Sequence, residues 1–348
     1  MEINILMMGG RRAGKTSILA AVDECCTKTL VGNENIKINV KLGGNQLHVK
    51  QTELEMYFTD PRYTKKNEFI PDLNPSSARE EYIYEASIKN SKFTFNFTDV
   101  SGEVFFPEQP GEDITLTDTR KKLPELVAKN HILIIAIDTP HMMEYPHSDI
   151  SGICKYHTEF NRSDIITGFI KDNFLATGKK KRKDIDDKLI VFVPLKCEKY
   201  FYNGKMKDIP DYVRRGYADL LSHFASPGPK EKFSVVINPI LTIGGAEFYR
   251  FDDDARATGR YNYVYDPALR HYHPQYCDNP MFLILLYMIQ IAKSGKQRQN
   301  GLIRFFGEKF GKQASMNDLV SVENDIKLLL NNRSEGFTVI QDPIGMGI

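Results

Sequence analysis

Five cysteines in 348 residues, odd in number and with no C-x-x-C spacing among them, exclude both a zinc ribbon and a disulfide framework. Cys25, Cys26, Cys154, Cys197 and Cys277 fit a reducing cytoplasm. Net charge is lacking too: 46 basic against 45 acidic side chains leave a formal +1, so no global field draws the chain to nucleic acid or an anionic membrane. There is no long apolar run. The longest, Met281 to Ala292, follows the helix-opening pair Asn279-Pro280 and falls short of the roughly 20 residues a bilayer requires. The first strand begins at Ile3 without the basic region, apolar core or small-residue cleavage site of an export signal, so no export by that route and a cytoplasmic location are expected. Internal repeats are absent as well. What remains is an ordinary globular composition, 41% hydrophobic and 26% charged, sufficient for one large core or two smaller ones.

The informative stretch is Ile3 to Thr27. An apolar strand, Ile3 to Met8, breaks at two glycines and restarts as a helix that keeps Ile18, Leu19 and Val22 on one face. Between them lies G-x-x-x-x-G-K-[ST], read as Gly9, Gly10, Arg11, Arg12, Ala13, Gly14, Lys15 and Thr16, followed by Ser17. Glycines let the backbone curl so that successive N–H groups point inward at the open helix N-terminus, and such a nest binds phosphate. Lys15 would reach the outer phosphates, and the Thr16 hydroxyl would take one position on Mg²⁺. The plain alternative is a glycine turn without a ligand.

From Lys28 to Arg79 the pattern is weaker: a short strand at Ile36 to Leu42, the turn Gly43-Gly44, then an amphipathic helix through Leu47, Leu54 and Phe58 that Asp60-Pro61 ends. Glu81 to Lys89 and Lys92 to Val100 predict a hairpin, in which Phe93, Phe95 and Phe97 alternate with Thr94, Asn96 and Thr98. Its second strand ends on Asp99-Val100-Ser101-Gly102-Glu103. A carboxylate at the C-terminal end of a strand is where ligands gather in an open α/β sheet, which makes Asp99 the candidate Mg²⁺ partner.

Downstream, a helix through Leu116, Leu123, Leu126 and Val127, interrupted near Pro124, precedes a buried strand at His131 to Ile137. Pro140 to Ser163 reads as a surface insertion, Asp164 to Ala176 as a helix, and Leu189 to Val193 as a strand ending in Pro194-Leu195-Lys196-Cys197-Glu198. A helix through Val213, Tyr217, Leu220 and Phe224, a strand at Phe233 to Leu241, a tyrosine-rich insertion and a final apolar helix follow. The alternation predicts a doubly wound, mostly parallel sheet with one antiparallel hairpin over residues 1–293, with insertions near 28–79, 140–163 and 247–277. Residues 294–348, with a helix from about Met316 and a strand at Gly336 to Gln341, form a small α/β extension expected to pack on that domain.

These residues resemble the P-loop GTPases of the Ras-like class, and within it a bacterial double-GTPase group of conflict-type gene clusters. GGRRAGKT and DVSGE carry the resemblance, PLKCE supports it, and NPILTIGG and YCDNP are later landmarks. It implies a GTP/GDP site with Mg²⁺, in which Asp99 holds the metal and the Gly102 amide senses the γ-phosphate. The catalytic set so implied is Lys15, Glu103 and Arg11. Glu103 stands where the pattern has a water-orienting Gln, and an ionised Glu accepts but does not donate. Arg11 or Arg12 would supply the charge that a partner's arginine otherwise brings; the alternative is that both face solvent or pair with acids. In the [NT]-K-x-D base motif, Lys196 is kept and Glu198 replaces Asp, while amides of Ile243, Gly244 and Gly245 would cover the guanine oxygen. Thr64, Ser76 and Ser77 are the switch-threonine candidates.

Three functions follow: a GTP-binding switch with slow Mg²⁺-dependent hydrolysis, acting on an effector or regulatory protein encoded in the same gene cluster, in bacterial defence or signalling; a non-hydrolysing nucleotide-bound subunit; or an ATP-using P-loop enzyme. No clear arginine-rich lid for the last is found. Weaker signals have plain alternatives. Lys179 to Lys183 reads as a solvated loop more readily than a nucleic-acid contact, since acids follow it and no aromatics interleave. His271, His273 and Cys277, or His147, Cys154 and His157, match no known metal spacing. Cys25-Cys26 reads as ordinary helix packing, and the tyrosines of 247–277 read equally as core or binding surface.

Overall fold

The computed structural model describes residues 2–33, 35–71, 77–88, 91–144, 156–174, 187–252, 260–266, 269–294 and 316–348. Its strands are β1 (Glu2–Gly9), β2 (Ile36–Leu42), β3 (Glu68–Phe69), β4 (Arg79–Ile88), β5 (Ser91–Val100), β6 (Ile132–Asp138), β7 (Lys188–Leu195), β8 (Phe233–Ile237), β9 (Ala246–Phe251), β10 (Tyr261–Tyr265) and β11 (Thr338–Gln341). Eight form one sheet in the order β2-β4-β5-β1-β6-β7-β8-β11. The five from β5 to β8 run parallel, whereas β4, β2 and β11 join antiparallel. The mixed, doubly wound class expected from the strand and helix alternation is therefore what the chain adopts.

Alternation along the strands sends successive side chains to opposite faces. From β1, Ile3, Ile5 and Met7 enter one core, which takes in the helices Lys15–Thr29, Asn279–Ser294 and Met316–Leu329. Leu6 and Met8 enter the other, against the helices Ile114–Lys129, Ser163–Phe174, Ile209–Gly216 and Ala218–Phe224. A second, three-stranded sheet, β3-β10-β9, stands over the end of β6 and buries its own aromatic cluster of Tyr57, Phe69, Phe248, Tyr261, Tyr263 and Tyr265. Those tyrosines are core, while Tyr249 is exposed.

Several local expectations change. Pro124 lies inside one continuous helix, Ile114–Lys129, because Leu123 and Val127 are wholly buried and their packing outweighs one missing N–H bond. The helix expected through Val213 and Phe224 is two, separated at Tyr217, where Gly216 lets His157 pack: a Cβ there would lie 2.4 Å from His157 Nε2. β8 stops at Ile237 because Pro239 has no N–H, although the Asn238 and Ile240 amides still donate to Phe192 and Pro194. Within 140–163, His141, His157 and Asn161 are buried rather than on the surface. Beyond Gly295, β11 pairs with β8, and Leu319, Val322, Ile326 and Leu330 join the first core. Among the described residues no helix is long and apolar enough to cross a membrane.

Candidate functional site

β1 delivers the phosphate loop to the C-terminal edge of the sheet, between β5 and β6. Gly9 sits so close to β6 that a Cβ would lie 2.6 Å from the Ala136 carbonyl oxygen, and at Gly10 a Cβ would lie 1.7 Å from that of Phe160. Gly14 has φ 101° and Arg12 φ 59°, the left-handed turns that curl the loop before the helix begins at Lys15. Lys15 folds back over this curl, its Nζ donating to the carbonyls of Gly9 at 3.2 Å and Gly10 at 3.3 Å. Burial lowers the Lys15 pKa, and the nearby Asp99 carboxylate opposes that shift.

Asp99, at the end of β5, accepts a 2.7 Å bond from Thr16 Oγ1 through Oδ2; its buried Oδ1 has no hydrogen-bond partner among the described residues. Burial raises the Asp99 pKa, opposed by Lys15 and by the Thr16 bond. A hydroxyl and a half-satisfied carboxylate in contact, beside a lysine, are a fitting donor set for Mg²⁺.

The turn after β5, Gly102–Phe105, lies against the phosphate loop: a Cβ on Gly102 would lie 2.3 Å from Arg11 N and 2.3 Å from the Gly10 carbonyl carbon. Glu103 pairs with Arg11, Oε1 to Nε at 3.0 Å, so the arginine of the loop meets an acid across the cleft. Two further arginines hold this turn from behind. Arg120 donates to the carbonyls of Val104 at 3.1 Å and Glu103 at 3.4 Å, and Arg162 to that of Phe105 at 3.1 Å.

At the far side of the loop, Lys196 (φ 60°) donates to the Arg12 carbonyl at 2.8 Å and to Asp138 Oδ2 at 2.7 Å, and its ammonium lies 4.8 Å from the centre of the Tyr261 ring. Asp138 ends β6 and also accepts from Tyr261 Oη at 2.9 Å, while its Oδ1 lies 3.0 Å from His141 Nδ1. Burial alone would raise this carboxyl, but His141 and Lys196 hold it far below the usual carboxylate range. Glu198 is fully buried, and its Oε1 accepts from the amides of Ile243 at 2.8 Å and Gly244 at 3.2 Å.

These groups surround a cleft of about 300 Å³, whose wall includes Arg11, Arg12, Gly14 to Ser17, Gly102, Glu103, Lys196, Thr242 and Ile243, together with Lys50, Leu54, Ile70, Pro71, Arg260, Tyr261 and Tyr263 from the two insertions. The phosphate loop, Asp99, the Gly102 turn, Lys196 and the 242–244 loop thus meet at one place. Ala13 is buried at the loop's base. Glu198 stands behind the wall rather than in it. Neither Thr64, in a one-turn helix, nor Ser77, which bonds Arg79 and Glu80, lines the cleft. Ser76, His147, Cys154 and Lys179 to Lys183 lie outside the described residues. The rings of His271 and His273 lie 5.4 Å apart, but no group of three or more metal-binding side chains gathers among the described residues. Asp138 and Asn161 escaped the sequence reading, while Tyr261 was read only among the tyrosines of 247–277, as core or binding surface. Asp138 carried the same strand-end signal as Asp99, whereas Asn161 lies in a segment without periodicity.

Asn161 clamps the end of β6, accepting from the Asp138 amide at 2.7 Å and donating to its carbonyl at 3.0 Å, and its amide nitrogen is 3.0 Å from His157 Nδ1. Burial lowers the His157 pKa from 6.5 to about 4, so the unfolded chain takes up a proton where the folded one does not. Stability is unaffected above pH 6.5 and falls between 6.5 and 4, by about 3 kcal/mol from this group. Urea midpoints measured across that range should fall less steeply for His157→Gln than for the parent; equal slopes would remove His157 from the acid response.

No known protein-family profile matches the chain, and no curated protein is similar to it. Among solved structures, the S. cerevisiae Ski7 GTPase-like domain, bound to GDP and inorganic phosphate, is similar over 69% of this chain at 9% identity and a TM-score of 0.33. The cytosolic domain of the T. maritima FeoB iron transporter, in apo form, is similar over 69% at 11% identity and a TM-score of 0.27. The chain spans 43% and 57% of those two chains. With scores this low, the fold rests on this chain's own sheet order and phosphate loop.

Proposed function

We propose that the chain is a GTP-binding switch that hydrolyses GTP slowly with Mg²⁺ and acts through a partner protein. The observation that carries this reading is the convergence of Lys15, Thr16 and Gly102 on one cleft at the C-terminal edge of the sheet, with Asp99 bonded to Thr16. The loop amides and Lys15 would bind the β- and γ-phosphates. Thr16 and Asp99 would hold Mg²⁺, which when bound offsets charge on the phosphate oxygens. Water would attack the γ-phosphorus in line, the bond to the β-phosphate oxygen would break, and GDP and phosphate would leave. The Gly102 amide would respond to the γ-phosphate, and loss of that contact would release the 102–105 turn to a partner. A bacterial setting in defence or signalling, with the partner encoded nearby, follows from the motif resemblance alone.

A second reading, a nucleotide-bound subunit that does not turn over, is favoured by the Arg11–Glu103 pair, which occupies two of the three candidate catalytic side chains. Calorimetric titration of nucleotide-free protein with GTP, GDP and ATP in Mg²⁺, followed by single-turnover hydrolysis, separates these. Guanine binding with turnover supports the switch, binding without turnover the second reading, and ATP preference an ATP-using enzyme. Within the switch reading, a γ-phosphate competes with Glu103 for Arg11. Arg11→Ala is then expected to lower single-turnover hydrolysis about 10- to 10³-fold with nucleotide affinity changed less than about threefold. Unchanged turnover would leave Arg11 as no more than the partner of Glu103.

A further inference from the structure

The motif resemblance makes the acid of PLKCE a reader of guanine, through two side-by-side bonds from N1–H and the 2-amino group to one carboxylate. Here that carboxylate is engaged elsewhere. Glu198 is wholly buried and absent from the cleft wall, and its Oε1 is bonded to the Ile243 and Gly244 amides, the groups that would otherwise meet the guanine oxygen. The remaining oxygen is buried, with no hydrogen-bond partner among the described residues. Burial raises its pKa, and the backbone amides bonded to it oppose that shift.

The wall beside the phosphate loop is of another kind. Lys196 is pinned by the Arg12 carbonyl and Asp138, and Asp138 is bonded in turn to Tyr261, whose hydroxyl shares a bond with Tyr263. This chain of bonds fixes the Lys196 stem in the cleft wall, which also includes Leu54 and Ile70.

We propose that Glu198 is a positioning residue that latches the Thr242–Gly244 loop, and that the base is taken by stacking on the Lys196 stem without its 2-amino edge being read. The proposal rests on the nucleotide reading of the cleft. Its substrate class is purine nucleotides whose 2-position is not read, so ITP, which lacks only the 2-amino group of GTP, should bind like GTP.

The test is titration of the full chain with GTP, ITP and XTP in Mg²⁺, for the parent, Glu198→Gln and Glu198→Ala. ITP is expected within about threefold of GTP, because a site built to bond a group rejects analogues lacking it by roughly 10⁴ and this site makes no such bond. Glu198→Gln still accepts from the two amides, and should keep the parent's order without a gain for XTP. Glu198→Ala loses the latch and should weaken GTP and ITP by the same factor. A preference for GTP over ITP above about 100-fold, or a switch of Glu198→Gln toward XTP, would make Glu198 a reader and overturn the proposal while leaving the nucleotide site intact. Failure of the parent to bind any of the three would overturn both. The parent comparison needs no variant to fold.

Discussion

Lys15→Ala is expected to weaken GTP and GDP binding by about 10² to 10⁴, because an ammonium bonded to two phosphates contributes roughly 1.5–3 kcal/mol per charged hydrogen bond. The nucleotide-free protein should not suffer in parallel. Lys15 is buried, its charge stripped of water and met only by two loop carbonyls and the nearby Asp99, so removing it relieves a desolvation cost. A thermal midpoint equal to or above that of the parent, together with lost binding in calorimetry, would place the ligand at the phosphate loop. Binding within about threefold of the parent would show that the cleft's ligand is not held by Lys15, and the switch reading would fall.

Gly102→Ala carries the second large effect. The new methyl would meet Arg11 N and the Gly10 carbonyl carbon at 2.3 Å, and these are backbone atoms, which yield less readily than a side-chain tip. The turn must swing away from the loop, with a stability cost of about 1–3 kcal/mol for overpacking. The amide proposed to sense the γ-phosphate moves with it. Turnover is expected to fall by about 10² while GDP, which lacks that phosphate, binds nearly as before. Hydrogen exchange should report faster opening of residues 102–106. Parent-like turnover would mean that the turn acts elsewhere than at the γ-phosphate.

The phosphate loop and Asp99 were legible in the sequence because their chemistry is local. Glycine spacing, a strand before it and a helix after it are contiguous, and the observed left-handed turns at Arg12 and Gly14 are what that spacing requires. The central strands were legible for a related reason: buried on both faces, they read as unbroken apolar runs. The base side was not. Glu198 could be aligned by motif, yet its engagement depends on amides more than forty residues away, which no local pattern encodes. The 140–163 segment read as surface because its buried polar residues do not follow an apolar period: Asn161 bonds the end of β6 and His157, and His141 lies against Asp138. Pro124 misled in the opposite direction, since tertiary packing overrode a local breaker.

β11 lies on the open flank of β8, joined by pairs such as Val339 with Val236 and Thr338 with Ile237. Strands so far apart in sequence must close a long loop before they gain anything, a cost that grows only as the logarithm of its length but comes early in folding. On the ribosome, β8 would emerge well before its outer neighbour and stand for some seconds with its edge uncovered, at synthesis rates of about 5–20 residues per second. An uncovered edge of a hydrophobic strand is a template for pairing with other chains. β11 would thus shield the edge of β8 from other copies, and a nascent chain stalled before residue 338 would be the aggregation-prone form of this protein.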